Sequence, residues 1–317
     1  MKVTVLAGGV GGAKMAHGFA QLIPEIQLTV IVNIGDDFDH FGLRICPDVD
    51  TVCYTLAGLA NPQTGWGRKD ESFHVLQQIV ELGGPTWFQL GDKDLATHLE
   101  RTRRLREGEK LSEVTREFCR KWGVAACVLP MSDEPVRTMV HTEEHGWIGF
   151  QDYFVRYGCE PKVMGFEFVG VQEARPAAGV MEALGESDLI VVAPSNPWVS
   201  IQPILSIKEI SQVLSEKKFI AVSPIVKGKA LKGPAAKMFV ELGIEPSAYA
   251  VAKMYQPYLW GFVIDESDRE VETRIRASGI MVLVTQTIMQ TEQDRLSLAK
   301  TILTFSNENY GSKRREY

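Results

Sequence analysis

The sequence has no apolar run of membrane-spanning length and no Cys-x-x-Cys pair. A spanning helix needs ~20 consecutive apolar residues, so none is expected here. The five cysteines (Cys46, Cys53, Cys119, Cys127, Cys159) are odd in number and scattered, and the histidines are not spaced for zinc. Neither a disulfide framework nor a zinc module fits that pattern. Scattered thiols point to a reducing compartment. No charged leader with an apolar core and cleavage site is present, so a soluble cytoplasmic protein with no membrane partner is expected. Positive charge is not in excess: the formal net charge is −6. This argues against nonspecific nucleic-acid binding but not against a nucleotide, which needs only local donors.

Internal repeats and low-complexity linkers are also missing. The 317 residues, 45% of them apolar, suit one large or two small domains. Short β-rich runs alternate with helical patterns: Lys2 to Leu6, Leu28 to Asn33, Leu189 to Ala193, Phe219 to Val222 and Ile280 to Thr285 read as buried strands. Ala125 to Leu129, Val136 to His141 and Trp147 to Phe150 read as further strands, expected to be antiparallel. Ser72 to Leu82 is amphipathic. Ala96 to Glu107 and Leu111 to Trp122 read as helices, Val52 to Leu59 as a buried one, and Ala299 to Phe305 as part of a final helix before a loose Ser-Lys-Arg-Arg tail. The fold class expected is α/β, a doubly wound, mainly parallel Rossmann-like sheet. Residues 1–317 form a single domain, with a mainly helical insertion at about 60–130 serving as a lid.

The most informative stretch follows the first strand: Gly8-Gly9-Val10-Gly11-Gly12-Ala13-Lys14, leading into a helical pattern. Strand, glycine turn and helix aim backbone N–H groups and a helix N-terminus at an anion. Gly8, Gly9, Gly11, Gly12 and Lys14 are therefore nucleotide-binding candidates; the competing role is a tight strand-to-helix turn. The turn is not the dinucleotide fingerprint, because Lys14 stands where its last small residue belongs. No Gly-Lys-Ser/Thr follows, so it is not a Walker A loop.

Acids cluster next: Asp36, Asp37, Asp48 and Asp50. Short carboxylates suit Mg²⁺, which takes one or two of them together with substrate phosphates. Asp is equally a residue of turns and caps. On an extended segment Asp48 and Asp50 would share a face. Asp36, Asp37 and Asp50 are the metal-ligand candidates. Gly91-Asp92-Lys93-Asp94 forms a second charged knot, and Pro194-Ser195-Asn196-Pro197 places a hydroxyl and an amide just past a buried strand. Trp66, Phe73, Trp87 and Trp122 are candidates for lining a flat-ring pocket, although such residues are commonly core.

These motifs in order, with Val32-Asn33-Ile34-Gly35-Asp36-Asp37, Ile45-Cys46-Pro47-Asp48-Val49-Asp50-Thr51, Gly65-Trp66-Gly67, Leu90 to His98 and Ala193 to Pro197, resemble the 2-phospho-L-lactate transferase family of coenzyme F-420 biosynthesis. Leu129 to Asp133, Phe150-Gln151-Asp152 and Val222 to Ile225 extend the likeness, which runs roughly to Asp265. The Gly-Val-Gly-Gly and Gly-Trp-Gly pieces are more similar to its phosphoenolpyruvate transferase branch. The resemblance implies a cytoplasmic, homodimeric, Mg²⁺-dependent transferase. A phosphoenolpyruvate or 2-phospholactate unit passes from a guanosine-diphosphate-activated donor to the deazaflavin Fo, and GMP leaves. It also implies that Asp50 is catalytic and contacts Fo and metal, that Lys93 contacts Fo, and that the glycine turn with Ser195 and Asn196 holds the nucleotide. The family often has Arg at the Lys93 position, and the two are not equivalent donors. The alternative is a non-enzymatic regulator resembling the YvcK-type proteins, which share the glycine loop and bind UDP-sugars. A nicotinamide oxidoreductase is disfavoured by Lys14.

Overall fold

The computed structural model describes residues 1–310; the Ser-Lys-Arg-Arg segment expected to be loose lies outside them. In chain order the strands are β1 (Lys2–Ala7), β2 (Gln27–Val32), β3 (Phe38–His40), β4 (Leu43–Ile45), β5 (Cys127–Pro130), β6 (Arg137–Thr142), β7 (Gly146–Gly149), β8 (Val163–Val169), β9 (Leu189–Val192), β10 (Phe219–Val222), β11 (Ile225–Val226), β12 (Lys229–Ala230), β13 (Leu259–Asp265) and β14 (Met281–Thr285). Seven of them make the central sheet, in the order β14-β13-β10-β9-β1-β2-β5. Every neighbouring pair in it is parallel. The fold is thus α/β with a doubly wound parallel sheet. β6, β7 and β8 form a separate antiparallel sheet. β5, expected to be antiparallel with β6 and β7, instead pairs parallel with β2 at the edge of the central sheet, because the helices before it return the chain to the same end.

The strand order places the ligand edge. From β1 the chain winds outward through β2 to β5, then returns and winds the other way through β9, β10, β13 and β14. β1 and β9 are therefore adjacent strands whose following segments diverge, the switch point where open α/β sheets bind ligands. The glycine turn follows β1, and Ala193-Pro194-Ser195-Asn196 follows β9.

Both faces of the sheet are covered because its strands are apolar throughout: β9 and β10 are buried at every position. Such unbroken apolar runs mark two-sided burial. Helix α1 (Gly9–Ala20) buries Met15, Ala16 and Phe19. It packs against the C-terminal helix Glu292–Tyr310, whose Leu298, Ala299 and Ile302 are buried. Their close approach depends on Gly18, where a Cβ would run into the Arg295 carbonyl oxygen and carbon. Lys14 ties the same pair of segments, donating to the Met289 carbonyl at 2.7 Å.

Between β4 and β5 lie α2 (Pro47–Leu56), α3 (His74–Glu81), α4 (Asp92–Arg106) and α5 (Leu111–Lys121). α3 has no buried residue, whereas α5 buries Leu111, Val114 and Phe118. α4 turns a polar face inward, with Thr97, His98, Arg101 and Thr102 buried. No helix among the described residues is long and apolar enough to cross a membrane.

Gly18→Ala should lower stability by about 1–3 kcal/mol, the usual range for overpacking. The gain in helix propensity, at most about 1 kcal/mol, is smaller. A urea midpoint equal to that of the parent protein would show that the two helices part without cost.

Candidate functional site

The site is built on the ends of β1, β2 and β9 and on the first turn of α2. Its glycines are required by packing before any ligand is considered. A Cβ on Gly11 would strike the Pro194 carbonyl oxygen; one on Gly8 would lie 2.7 Å from both Asp48 Oδ2 and Ser200 Cβ. At Gly12 it would meet Ala7 Cβ at 2.9 Å and Ser195 Oγ at 3.1 Å. Gly9 has φ +63°, the left-handed region that glycine enters without strain. The turns after β1 and β9 are thus pressed together, and Ser195 Oγ fastens them by donating to the Gly8 carbonyl at 2.8 Å. Gly11→Val would therefore disturb the fold itself and cannot isolate nucleotide binding. Asn196 caps the helical turn Pro197–Ile201, accepting from the N–H groups of Trp198 and Val199.

First-turn N–H groups of a helix have no carbonyl partner within it. At α1, the Gly9 N–H is taken by Asp48 Oδ1 at 2.7 Å. Asp48 also accepts from Asn33 Nδ2 at 2.9 Å; the same amide lies 3.3 Å from Asp36 Oδ1 and 3.1 Å from the Val199 carbonyl. Asn33 thus binds two acids and the β9 side of the cleft. No sequence argument had singled it out, although a polar residue ending the apolar β2 run was the available signal.

Asp48 and Asp50 do not share a face. Pro47 starts α2 at its first position, and both acids lie in the first helical turn. Earlier onset of the helix than Val52 converts a two-residue offset from 360° of rotation to ~200°. Asp48 therefore turns to the glycine turn, while Asp50 turns to α4. There Arg101, buried, grips both Asp50 oxygens, through Nη1 at 3.0 Å to Oδ2 and through Nη2 to Oδ1. His98 Nδ1 lies 3.7 Å from Asp50 Oδ2 and its Nε2 lies 3.4 Å from Asp94 Oδ1; Tyr54 donates to Asp94 at 2.7 Å. Asp94, His98 and Arg101 follow each other at spacings of four and three on α4, a one-face pattern legible in the sequence but not read from it. Asp50, Asp94 and His98 are the group whose ligand atoms converge within 4.8 Å among the described residues. Asp36 and Asp37 belong to neighbouring clusters: Asp36 beside Asp48, and Asp37 beside Cys46 and Arg101.

Lys93 sits at the exposed start of α4, its Nζ 3.3 Å from the Lys69 carbonyl. Its backbone N–H and that of Asp94 donate to Glu71, while Asp92 in turn caps α3 through His74 and Val75. The four aromatics do not converge. Trp122 packs on Tyr54 and Phe118, Trp87 on Phe38, His40 and Phe88, and Trp66 and Phe73 are exposed. Lys14, spent on Met289, has its ammonium pKa lowered by burial and by Arg295 and Lys232.

The acids carry more negative charge than their surroundings balance. Burial pushes Asp37 up to about 7, with Cys46 and Arg101 opposing. Burial pushes Asp48 up to about 6 despite the bonds from Asn33 and Gly9. Burial, then Asp48 and Asp37, push Asp36 well above the carboxylate range. Asp37 Oδ1 is buried with no hydrogen-bond partner. A hard cation suits this set: it needs oxygen ligands, compensates their charge and satisfies the orphaned oxygen.

Because these pKa values lie above the unfolded value of about 3.9, the native state binds more protons than the unfolded chain between about pH 4 and pH 7, and stability must fall as pH rises through that window. In buffer stripped of divalent cations the melting temperature should therefore drop between about pH 4 and about pH 7, and added Mg²⁺ should offset the drop. A flat or rising profile in the stripped buffer contradicts the burial of uncompensated acids.

The family model described as 2-phospho-L-lactate transferase CofD matches residues 3–301. The phosphoenolpyruvate transferase of Streptomyces coelicolor is 40% identical over 315 residues, covering 97% of this chain and 99% of that protein. That of Thermobifida fusca is 41% identical over 283 residues, covering 85% and 88%. A solved member of the UPF0052 family from Bacillus halodurans aligns with a TM-score of 0.60 at 14% identity, over 95% of this chain and 98% of that one, a likeness of fold. With one family model spanning nearly every residue and relatives close to 40% identical end to end, the chain belongs to the 2-phospho-L-lactate transferase CofD family of transferases.

Proposed function

We propose that this protein transfers a phosphoenolpyruvate or 2-phospholactate unit from a guanosine-diphosphate-activated donor to the deazaflavin Fo. The observation that carries the reading is the meeting of the glycine turn, the Ser195 turn and the Asp48 carboxyl at the β1/β9 switch point, with Asp36, Asp37 and Asp50 in the adjoining acid clusters. The curated relatives are named phosphoenolpyruvate transferases, which favours transfer over a regulator that only binds a nucleotide-sugar. A cytoplasmic homodimer is part of the proposal.

The donor's diphosphate lies at the N-terminus of α1, where the N–H groups of Val10 and Gly11 and the helix dipole favour an anion. Ser195 holds the facing turn in place, and Asn33 fixes Asp48, whose carboxyl takes the Gly9 N–H and leaves those of Val10 and Gly11 for the donor. The terminal ribityl hydroxyl of Fo attacks the phosphorus that bears the three-carbon acid. The new P–O bond forms as the bond to GMP breaks, and the hydroxyl proton is lost to water or a carboxylate. Arg101 fixes the orientation of Asp50, which positions the hydroxyl; Lys93 lies on the acceptor side. Mg²⁺ would supply charge neutralisation to the diphosphate, with Asp36 and Asp37 as the carboxyls open to hold it and Asp50 joining them by giving up an Arg101 contact.

Incubation with Fo and guanosine-diphosphate-activated phosphoenolpyruvate should give the dehydro form of coenzyme F-420-0 and GMP by mass spectrometry. EDTA should abolish turnover and Mg²⁺ restore it. Binding of a nucleotide-sugar with no product from any activated donor would favour the regulator.

Asp50→Asn alone leaves Arg101 buried without its partner, which costs about 3–5 kcal/mol. The informative variant is the pair Asp50→Asn with Arg101→Met, which removes both charges. It should fold, yet lose transfer by at least about a hundredfold, on the order of 3 kcal/mol in the barrier. Near-normal turnover in the pair would remove Asp50 from the reaction.

A further inference from the structure

A second basic residue, Lys232, comes near the glycine turn from elsewhere in the chain, across the loop that contains Gly65. The strap from Lys227 to Pro234 leaves the β11–β12 hairpin and enters the helix Ala235–Glu241. It carries Lys227, Lys229 and Lys232 and is rich in turn conformations, with φ +49° at Lys227, +70° at Gly228 and +74° at Gly233. One end is anchored by the Lys227 N–H on Asp268 Oδ1 at 2.9 Å. Opposite lies the Asn61–Gly67 loop, closed by backbone bonds from Gly65 to Asn61 and from Asn61 to Gly67.

Strap and loop meet above the phosphate cradle. Lys232 Nζ donates to the Thr64 carbonyl at 3.0 Å. The point that a Cβ on Gly65 would occupy is 2.9 Å from Val10 Cγ1 and 3.3 Å from Lys232 Nζ. Gly65 has φ +78°, so glycine both permits the turn and leaves room for the ammonium beside Val10, the second residue of α1. Lys232 is exposed and forms no ion pair with a carboxylate among the described residues. A neutral carbonyl is a weak partner for a full charge; a phosphate oxygen is a strong one. Lys14, the basic residue of the turn itself, points away to Met289.

We infer that Lys232 is a binding residue for the diphosphate of the nucleotide donor, exchanging the Thr64 carbonyl for phosphate oxygen when the donor arrives. The inference rests on the donor being a nucleoside diphosphate at the glycine turn. The exchange also releases the Asn61–Gly67 loop from the strap, so donor entry and loop position are linked through one ammonium group.

The test is calorimetric titration of the full chain with GDP and with GMP, in the parent protein, Lys232→Met and Lys232→Arg. Loss of a charge-assisted bond should weaken GDP binding about 10- to 100-fold in Lys232→Met. GMP, which lacks the second phosphate, should lose less, and Lys232→Arg should retain most of the GDP affinity. The salt dependence of GDP binding should also flatten in Lys232→Met. Unchanged GDP affinity overturns the inference. So does an equal loss for GDP and GMP, because that is what a purely structural latch on Thr64 would give. A parent protein that binds neither nucleotide overturns the proposed function as well, which separates the two failures.

Discussion

Everything at the ligand edge depends on how closely the turn after β1 approaches the turn after β9. That approach exists because Gly8, Gly11 and Gly12 carry no Cβ: at each, the added atom would overlap Asp48 and Ser200, Pro194, or Ala7. The Ser195 hydroxyl then locks the contact on the Gly8 carbonyl. Across these turns, Asp48 links the N-terminus of α1 to the first turn of α2, and Asn33 links both to the end of β2. Asn33 is the pivot, since its amide donates toward Asp36, Asp48 and the Val199 carbonyl.

The same close packing creates the electrostatic character of the site. Four aspartates are buried within reach of one another, and Arg101 compensates Asp50 most directly. Burial without compensation disfavours the charged form, so the pKa values of Asp36, Asp37 and Asp48 are raised above the usual carboxylate range. Arrangements of this kind are costly for stability and are characteristic of functional sites. A cation bound among these carboxyls would relieve the repulsion and displace their protons.

The outer helices contribute unequally. α4 is held to the hairpin β3–β4 by polar contacts: Thr102 Oγ1 accepts from the Arg44 N–H at 2.8 Å, and Arg106 donates to the Gly42 carbonyl at 2.9 Å. α3 is anchored through its N-terminus, where Asp92 accepts from two of its backbone N–H groups, and it buries none of its side chains. Few buried apolar contacts and many solvent-facing hydrogen bonds mark the segments that open most readily in a folded protein. The α4 side of the site is therefore bounded by polar attachments, and the glycine-turn side by close-packed sheet edge.

The sequence by itself determined the parallel α/β fold, because unbroken apolar strands such as Leu189 to Val192 require cover on both faces. It determined the glycine turn and the family, because the motifs recur in order along most of the chain. Helix boundaries were less legible: Pro47 begins α2 five residues before the apolar run that suggested it. That shift decided which way Asp48 and Asp50 point, since a two-residue offset means the same side of a strand and nearly opposite sides of a helix. Tertiary packing alone set that Arg101 holds Asp50, that Lys14 turns to Met289 and that Lys232 bonds the Thr64 carbonyl. These pairings join residues far apart in the chain, and local propensity carries no information about which distant element a side chain will meet. They are set by the packing of the sheet edge, α4 and the strap, which exists only once the core has formed.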